Sequence, residues 1–238
     1  MRVLVTGGSR GIGAAIVQAM SETSDTQIAF TYNTNKSLAE EVIHASEGAQ
    51  IECTTMDLKD PSSIESAMTH LMKLWGGFDV VIHNAAICSD TPFMAMKPHQ
   101  WQEVLNVSLN SFYYINQQVL PGMMLKKFGR IIPIVSVSGE MGNRGQVNYS
   151  AAKGALISAT KALSKEVARK GILVNAVSPG LIETDMTADL THLNIKQMIP
   201  VGRIGKPREV ADVVRFLCSE QASYISGSVI QVNGGLYT

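Results

Sequence analysis

Short apolar runs rich in β-branched residues alternate with longer amphipathic stretches along the whole chain. A short apolar run between turn residues predicts a buried strand, whereas apolar positions at helical spacing predict one face of a helix. The predicted strands cover residues 3–6, 28–32, 51–56, 80–83, 131–136, 173–178 and 229–232. The clearest predicted helices cover residues 62–74, 147–168 and 207–217.

Strands that alternate with helices imply right-handed βαβ units, which place parallel strands in one sheet with helices on both faces. We therefore predict an α/β fold in which residues 1–238 form a single-domain, Rossmann-type, doubly wound parallel sheet of about seven strands. Pro133 lies inside an otherwise strong predicted strand. Since proline cannot donate a hydrogen bond to a central ladder, we expect a local irregularity there.

Composition and charge narrow the classes of function. The 238 residues are 45% hydrophobic and 17% charged, and their formal net charge is zero, which argues against nucleic acid or an anionic membrane as the main partner. Cys53, Cys88 and Cys218 form no CxxC pair, which is typical of reduced thiols in a cytosolic protein. The chain starts directly with a predicted strand and has no apolar run long enough for a bilayer. We therefore expect no signal peptide, no membrane span and a cytoplasmic location.

The first predicted strand is followed by a glycine-rich turn and a helix, in "VLVTGGSRGIGAAIVQAM". Gly7, Gly11 and Gly13 allow a tight turn and a close approach of the backbone to a ligand. The helix that opens near Ile12 directs its N–H groups and positive dipole end at that position, which suits a pyrophosphate. The alternative is a tight turn without a ligand. Because the glycines stand at the first βα junction of an alternating chain, they indicate dinucleotide binding.

The residues after the second strand indicate which dinucleotide binds. NAD-binding folds usually place an acid there for the ribose 2′-hydroxyl, but "FTYNTNKS" contains none. Arg10 and Lys36 favour a 2′-phosphate and therefore NADPH, unless both are ordinary solvated cations. Asp57, after the third strand, could accept from the adenine amino group or could be a turn or helix N-terminal aspartate.

The candidate chemistry lies in "IVSVSGEMGNRGQVNYSAAKGAL". Tyr149 and Lys153 are four residues apart on a predicted helix and so share one face. Ser136 lies at the carboxyl end of the preceding strand, where open α/β sheets bind ligands. A nearby ammonium lowers the pKa of a tyrosine, and a serine hydroxyl can hold a substrate oxygen while charge develops on it. Alternatively, Tyr149 and Lys153 form an ordinary pair on an amphipathic helix.

Six motifs in order resemble the short-chain dehydrogenase/reductase family: "TGGSRGIG", "MDL", "HNAA", "SVSG", "YSAAK" and "NAVSPGLIETDM". Within that family the chain is similar to 3-oxoacyl-[acyl-carrier-protein] reductases, which share "GRII", "YSAAKGAL", "SPGLIETDM" and "SYISGSVIQVNGG". The resemblance implies that Ser136 orients the substrate carbonyl. It also implies that Tyr149 donates a proton to the new alkoxide, while Lys153 binds ribose hydroxyls and lowers the pKa of Tyr149.

The resemblance also implies a set of cofactor contacts along the carboxyl edge of the sheet. The residues expected to bind NADPH are Gly7, Ser9, Arg10, Gly11, Ile12, Gly13, Tyr32, Asn33, Asp57, Leu58, Asn84, Ala85, Ala86, Tyr149, Lys153, Pro179, Gly180, Ile182 and Thr184. Residues 184–206 would form a mobile substrate lid, in which Met186 and Met198 either adapt to an acyl chain or simply pack.

The chain departs from the family pattern at two places. The family usually reads Asn-Asn-Ala-Gly where this chain has "HNAA", so the added methyl of Ala86 could crowd the cofactor. Ser108 stands where the family has a catalytic asparagine, which would hold a water linking the lysine to solvent. Asn106 and Asn110 flank Ser108 but lie on another face of a regular helix, so neither replaces it unless the helix is bulged. We expect Ser108 to hold this water less well and the enzyme to work more slowly.

The expected partner is an acidic acyl carrier protein, for which Lys127 and Lys170 are candidate docking residues, although both could be ordinary helix-end cations. The resemblance also implies a homotetramer. The histidines His44, His70, His99 and His192 have no ligand-like spacing, so we assign no metal.

Three functions remain open at this point. The first is NADPH-dependent reduction of a 3-oxoacyl thioester on a carrier protein or coenzyme A. The second is reduction of another ketone, sugar or steroid. The third is a degenerate, non-catalytic partner subunit.

Overall fold

A parallel sheet forms the centre of the computed structural model, which describes residues 1–46, 48–187 and 195–238. Its strands run in the order β3-β2-β1-β4-β5-β6, and β7 and β8 form a parallel pair. The strands are β1 (Arg2–Val5), β2 (Gln27–Tyr32), β3 (Gln50–Thr55), β4 (Val80–His83), β5 (Gly129–Pro133), β6 (Ile172–Val174), β7 (Ala176–Pro179) and β8 (Val229–Val232). This arrangement confirms the predicted doubly wound fold.

Helices cover both faces of the sheet. They are α1 (Gly11–Ser21), α2 (Lys36–His44), α3 (Pro61–Trp75), α4 (Pro98–Leu105), α5 (Ser111–Lys126), α6 (Ser138–Met141), α7 (Val147–Val167), α8 (Ile195–Met198) and α9 (Pro207–Cys218). The three helices that the apolar spacing predicts correspond to α3, α7 and α9. None of the described helices is long and apolar enough to cross a membrane.

Two hydrophobic cores lie on opposite faces of the sheet because successive strand residues point to opposite sides. Val3 and Val5 of β1 pack with α1 and α9, whereas Leu4 between them packs with α3, α5 and α7. All three residues are fully buried. Strand β1 is therefore central and covered on both sides, which explains why its sequence is a continuous apolar run rather than an alternating one.

The predicted strand over residues 173–178 is two strands in the structure. Strand β5 pairs with β6 up to Ile131 and Val174, and beyond its end it bridges to β7 at Ile134 and Val177. Pro133 lies between these pairings, so its missing N–H falls where β6 has ended. The expected irregularity at Pro133 is thus confirmed as the point where the partner strand changes.

Asn175 lies at the point of that change, between β6 and β7. Its backbone N–H still donates to the Ile131 carbonyl at 3.1 Å. Its side chain, however, donates to the Ile225 carbonyl at 2.8 Å and accepts from the Ser228 N–H at 3.0 Å. The side chain of Asn175, which lies between β6 and β7, therefore bonds to the segment that leads into β8.

Candidate active site

The glycine turn after β1 forms a cradle with little room for side chains. Gly7 has φ +66°, and a Cβ placed on it would lie 3.0 Å from Ala85. A Cβ on Gly13 would overlap the Gly7 carbonyl oxygen. Helix α1 begins at Gly11, and no side-chain hydrogen bond from Arg10 caps it within the described residues. Its first-turn N–H groups are therefore available to an anion, as pyrophosphate binding requires.

Hydrogen bonds join the loop after β4 to the glycine turn. The Thr6 hydroxyl oxygen accepts from the N–H groups of Asn84 and Ala85, both at 3.1 Å. The Asn84 amide donates to the carbonyls of Thr6 at 3.1 Å and Gly7 at 3.0 Å. These contacts hold Asn84 and Ala85 against the glycine turn, and Ala86 follows them. Their contacts with the cofactor remain a prediction.

The candidate 2′-phosphate contacts are exposed and weakly paired. The Arg10 guanidinium lies 4.0 Å from the Asp185 carboxylate, and Lys36 lies 3.3 Å from Glu40. Exposed ion pairs of this kind contribute on the order of 0–1 kcal/mol, so either cation could exchange its partner for a phosphate. Tyr32 ends β2, and the exposed Asn33 follows it.

Asp57 already has a local role after β3. One of its carboxylate oxygens accepts from the Lys59 N–H at 2.9 Å, and its own N–H donates to the Ser63 hydroxyl at 3.0 Å. This geometry is that of an aspartate turn. The next residue, Leu58, has its side chain buried in the hydrophobic core. The adenine contact of Asp57 remains a prediction.

Ser136, Tyr149 and Lys153 converge at the carboxyl edge of β5. Lys153 is fully buried on α7, and its Nζ donates to the Ile134 carbonyl at 2.7 Å. The same Nζ lies 5.6 Å from the centroid of the Tyr149 ring. The Ser136 hydroxyl oxygen accepts from the Ser138 N–H at 3.2 Å, which holds the serine in the loop after β5.

The electrostatics of this site favour a tyrosine that keeps its proton. Burial raises the pKa of the Tyr149 phenol well above its usual range, the neighbouring Cys88 and Asp90 raise that pKa further, and hydrogen bonding with Ser136 opposes the rise. Burial lowers the pKa of Lys153 to about 8. The lowering of the Tyr149 pKa by Lys153, which the resemblance implies, remains a prediction. At neutral pH the phenol is a proton donor.

Two supports of the site escape the sequence reasoning. The buried Asn148 donates to the carbonyls of Ser89 at 3.2 Å and Gln100 at 3.1 Å. Glu140 accepts from the Ser178 hydroxyl at 2.6 Å and from the Gln231 amide at 3.2 Å. Asn148 ties the loop after β4 to the helix that carries Tyr149. Glu140 ties the loop that carries Ser136 to β7 and β8. The sequence could have indicated Asn148, because it is a polar residue on the buried face of a predicted helix. It contains no comparable indication for Glu140.

The helix around Ser108 is bulged. Residues Asn106–Asn110 form a π-helical turn between α4 and α5, and the Ser111 N–H donates to the Asn106 carbonyl. Despite the bulge, the Asn110 amide donates to the Asn106 side-chain oxygen at 2.7 Å. The two asparagines thus bond to each other, while Ser108 is buried. Ser108 Oγ has no hydrogen-bond partner in the part of the chain that the structure describes.

His83, at the other departure from the family pattern, is also buried. Its Nε2 lies 3.3 Å from the Asn116 side-chain oxygen, and its ring packs on Phe112 with centroids 4.8 Å apart. Among the described residues, its Nδ1 has no partner. Burial lowers the pKa of His83 to about 4, so the ring is neutral at physiological pH.

The segment after β7 borders the same edge. The Pro179 carbonyl accepts from the Val137 N–H at 3.1 Å, the Gly180 N–H donates to the Val232 carbonyl at 3.0 Å, and Ile182 bridges Gly205. A contact of 3.6 Å between the Met186 and Cys88 sulfur atoms places Met186 near the loop after β4. Residues 188–194 of the predicted lid, with His192, lie outside the described residues.

Lys127 and Lys170 lie at the opposite edge of the sheet. Lys127 follows the last residue of α5 and lies two residues before β5, and Lys170 ends a short 3₁₀ turn before β6. A Cβ on Gly171 would overlap the Lys127 carbonyl, so the two backbones touch. Both lysines are exposed. The two lysines are therefore neighbours within one subunit. Both lie at the amino edge of the sheet, whereas Ser136 lies at the carboxyl edge. Within the described ranges, no cluster of three or more His, Cys, Asp or Glu side chains could hold a metal ion.

Known proteins match this chain over nearly its whole length. A family model described as enoyl-(acyl carrier protein) reductase matches residues 7–237. The chain is 45% identical over 239 residues to the 3-oxoacyl-[acyl-carrier-protein] reductase FabG of Aquifex aeolicus. The aligned region covers 98% of this chain and 96% of that relative. It is 41% identical over 237 residues, with the same two coverages, to the FabG proteins of Escherichia coli and Vibrio cholerae. The chain belongs to the short-chain dehydrogenase/reductase family.

Proposed function

We propose that this protein is an oxidoreductase that reduces a 3-oxoacyl thioester, carried on acyl carrier protein, to the 3-hydroxyacyl thioester with NADPH, as in fatty acid or polyketide-type synthesis. The convergence of Ser136, Tyr149 and Lys153 beside the glycine cradle is the observation that carries the proposal. The FabG relatives support the choice of substrate, since each is named for acting on that class of thioester.

The residues of the site suit proton donation to a ketone oxygen. A bound nicotinamide cofactor would supply the hydride. Ser136 then holds the ketone oxygen by a hydrogen bond, which strengthens as negative charge develops there. Tyr149, which keeps its proton at neutral pH, donates that proton to the oxygen. The Lys153 ammonium lies near the phenol and favours the phenolate that remains.

NADPH is favoured over NADH by the residues that follow β2. Tyr32 and Asn33 offer no carboxylate to a ribose 2′-hydroxyl, while Arg10 and Lys36 are exposed and only weakly paired. Gly7 and Gly13 let the turn pack closely on Ala85 and on itself, because a Cβ at either position would meet those atoms. This close packing and the uncapped start of α1 support pyrophosphate binding at the turn. Pro179, Gly180, Ile182 and Thr184 would border the nicotinamide, and residues 184–206 would close over the substrate.

The carrier protein is proposed to dock on Lys127 and Lys170, which form one basic pair. Because this pair lies at the amino edge, a carrier bound to it would serve the site of a neighbouring subunit more readily than that of its own. A homotetramer, which the resemblance implies, would provide such neighbours. A carrier-free thioester of coenzyme A or another small ketone is the alternative substrate.

The experiment follows NADPH oxidation with four substrates: an acetoacetyl-carrier thioester, acetoacetyl-CoA, a crotonyl thioester and an unrelated ketone. The crotonyl thioester tests the enoyl reduction that the family model's description names. We expect the highest kcat/KM with the acetoacetyl-carrier thioester. Faster turnover of the crotonyl thioester or of the unrelated ketone would overturn the substrate assignment.

Tyr149→Phe is expected to lower kcat by about 10²–10⁴-fold because it removes the proton donor. Tyr113→Phe is the matched control, since Tyr113 is exposed on α5. NADPH binding, measured by its fluorescence, should be unchanged in Tyr113→Phe and should weaken in Tyr149→Phe by no more than the loss of one hydroxyl contact. If Tyr149→Phe keeps full activity, the assignment of the proton donor is wrong. If the unaltered protein binds NADPH but reduces none of the substrates, the reading as a non-catalytic partner subunit is correct instead.

A further inference from the structure

Two buried polar atoms near Lys153 lack partners among the described residues, and both belong to positions where the chain departs from the family pattern. They are Nδ1 of His83 and Oγ of Ser108, whose residues are 4% and 3% exposed. A buried polar atom without a partner costs on the order of 1–3 kcal/mol, so each of these atoms calls for an occupant that satisfies it.

The hydrogen-bond network determines which atom His83 offers. The Asn116 amide donates to the Phe112 carbonyl at 2.8 Å, so its side-chain oxygen is the atom that faces the ring. An amide oxygen only accepts, which means that Nε2 of His83 carries the hydrogen. The ring is neutral, so Nδ1 presents a bare lone pair. Nδ1 therefore needs a donor, whereas the Ser108 hydroxyl can both donate and accept.

Strand geometry places His83 directly beside Lys153. The Ile134 N–H donates to the His83 carbonyl at 2.9 Å, and the Ile134 carbonyl accepts from Lys153 Nζ at 2.7 Å. In a parallel ladder that carbonyl would accept from Ala85, but the Ala85 N–H donates to the Thr6 hydroxyl instead. The Lys153 ammonium thus replaces the Ala85 N–H as the donor to Ile134, directly after the last ladder bond between β4 and β5.

Helix geometry brings Ser108 to the same position. Phe112 and Asn116 of α5 contact the His83 ring, and Ser108 lies one turn before Phe112. Helix α5 precedes β5 and runs opposite to the strands, so its start faces their carboxyl edge. The π-helical turn also packs against α7, the helix that carries Lys153. Ser108 therefore approaches the ammonium from the side of the sheet covered by α5.

We propose that His83 and Ser108 together hold one buried water beside the Lys153 ammonium, which makes His83 a positioning residue for Lys153. The water accepts from the ammonium and donates to Nδ1 of His83, and the Ser108 hydroxyl completes its hydrogen bonds. One asparagine amide offers a donor and an acceptor on a single side chain, whereas this chain divides those two functions between a hydroxyl and an imidazole. The catalytic part of this inference rests on the proposed reductase function.

The first test needs no cofactor and no turnover. The ¹⁵N shift of Nδ1 of His83 is measured by NMR in the apo protein and in Ser108→Ala, with the exposed His70 as the internal reference. We expect the unaltered protein to show a hydrogen-bonded lone pair and Ser108→Ala to shift that signal toward a free lone pair. A crystal structure should show a water within about 3.2 Å of both Nδ1 and Oγ. An unchanged shift together with an empty position would overturn the proposal.

The second test is a double-mutant cycle on kcat with the preferred thioester. Ser108→Ala and His83→Asn should each lower kcat several-fold with KM unchanged, and the double variant should be little slower than either single variant, because all three lose the same water. His70→Asn is the matched control and should be neutral. If the loss of kcat in the double variant equals the product of the two single losses, the two residues do not share a water. If the unaltered protein reduces no thioester while the NMR shift responds to Ser108→Ala, the reductase function fails and the water site stands.

Discussion

At the amino edge of the sheet, the cationic side chains form ion pairs with a carboxylate. Arg2 bonds the Asp79 carboxylate at 3.0 Å, and Lys126 bonds the same carboxylate at 2.9 Å. At the carboxyl edge, Lys153 is buried against a neutral carbonyl. The two edges belong to the same strands, yet at the amino edge the cations bond a carboxylate, while at the carboxyl edge a buried ammonium bonds a carbonyl and is proposed to take part in the chemistry. The edge that carries the buried cation is also the edge where open α/β sheets bind their ligands.

The largest expected effect at the carboxyl edge follows the removal of its cation. Lys153→Met should lower kcat by about 10²–10⁴-fold, because the phenolate of Tyr149 loses its neighbouring positive charge. The same variant should change the pH dependence of stability. The pKa of Lys153 is about 8 in the folded protein against 10.5 as the reference, so the unfolded chain binds more protons between these values.

The free energy of unfolding should therefore rise with pH between about 8 and 10.5 in the unaltered protein, and this contribution should vanish in Lys153→Met. Urea titrations at pH 7.5 and 10 measure the difference. Identical pH slopes for the two proteins would show that Lys153 is not buried as a destabilising charge.

His83 provides the next largest effect, in the acid range. Its pKa is lowered from 6.5 to about 4, so the unfolded chain binds the extra proton first as the pH falls. Stability should drop through the window from pH 6.5 to 4, by about 3 kcal/mol at the low end. In His83→Asn this loss should be absent, whereas His70→Asn on the exposed face of α3 should keep it. Denaturant titrations at pH 7 and 4.5 decide between these outcomes.

At the amino edge, Arg2→Met should act on stability alone. It removes the bonds of Arg2 to Asp79 and to the Trp75 carbonyl, so the free energy of unfolding should fall by about 1–3 kcal/mol. The value of kcat should stay unchanged. Lys165→Met, at an exposed position of α7, is the control for the loss of a cation. If kcat fell in Arg2→Met with both substrates saturating, the amino edge would affect catalysis as well as stability, contrary to this prediction.

The smallest expected effect concerns docking. Reversing Lys127 and Lys170 to glutamate should weaken the reduction of carrier-bound substrate several-fold through KM, because steering of an acidic carrier is lost. A small thioester mimic should be reduced at the original rate. Rising salt should narrow the difference between the unaltered protein and the double variant. Equal losses on both substrates would exclude the basic pair as a docking surface.

Much of the fold and of the site could be predicted from local sequence patterns. The alternation of strands and helices, the glycine turn at Gly7–Gly13 and the four-residue spacing of Tyr149 and Lys153 are all encoded within about twenty residues of chain. The covalent chain directly sets such spacings, since side chains four residues apart share a helix face wherever the helix lies. The position of Ser136 followed from a rule of equal generality, that ligands bind at the carboxyl ends of parallel strands.

The tertiary structure decided everything that depends on partners distant in the sequence. It divided the strand over residues 173–178 at Asn175, because β5 exchanges one neighbour for another beside Pro133. It placed Lys127 and Lys170 at the edge away from Ser136. It also buried His83, Ser108 and Lys153 together, although they lie far apart in the sequence, and that burial sets the pKa of His83 and of Lys153. A sequence names the groups that can ionise or bond, but the cost of removing them from water exists only once the chain has folded around them.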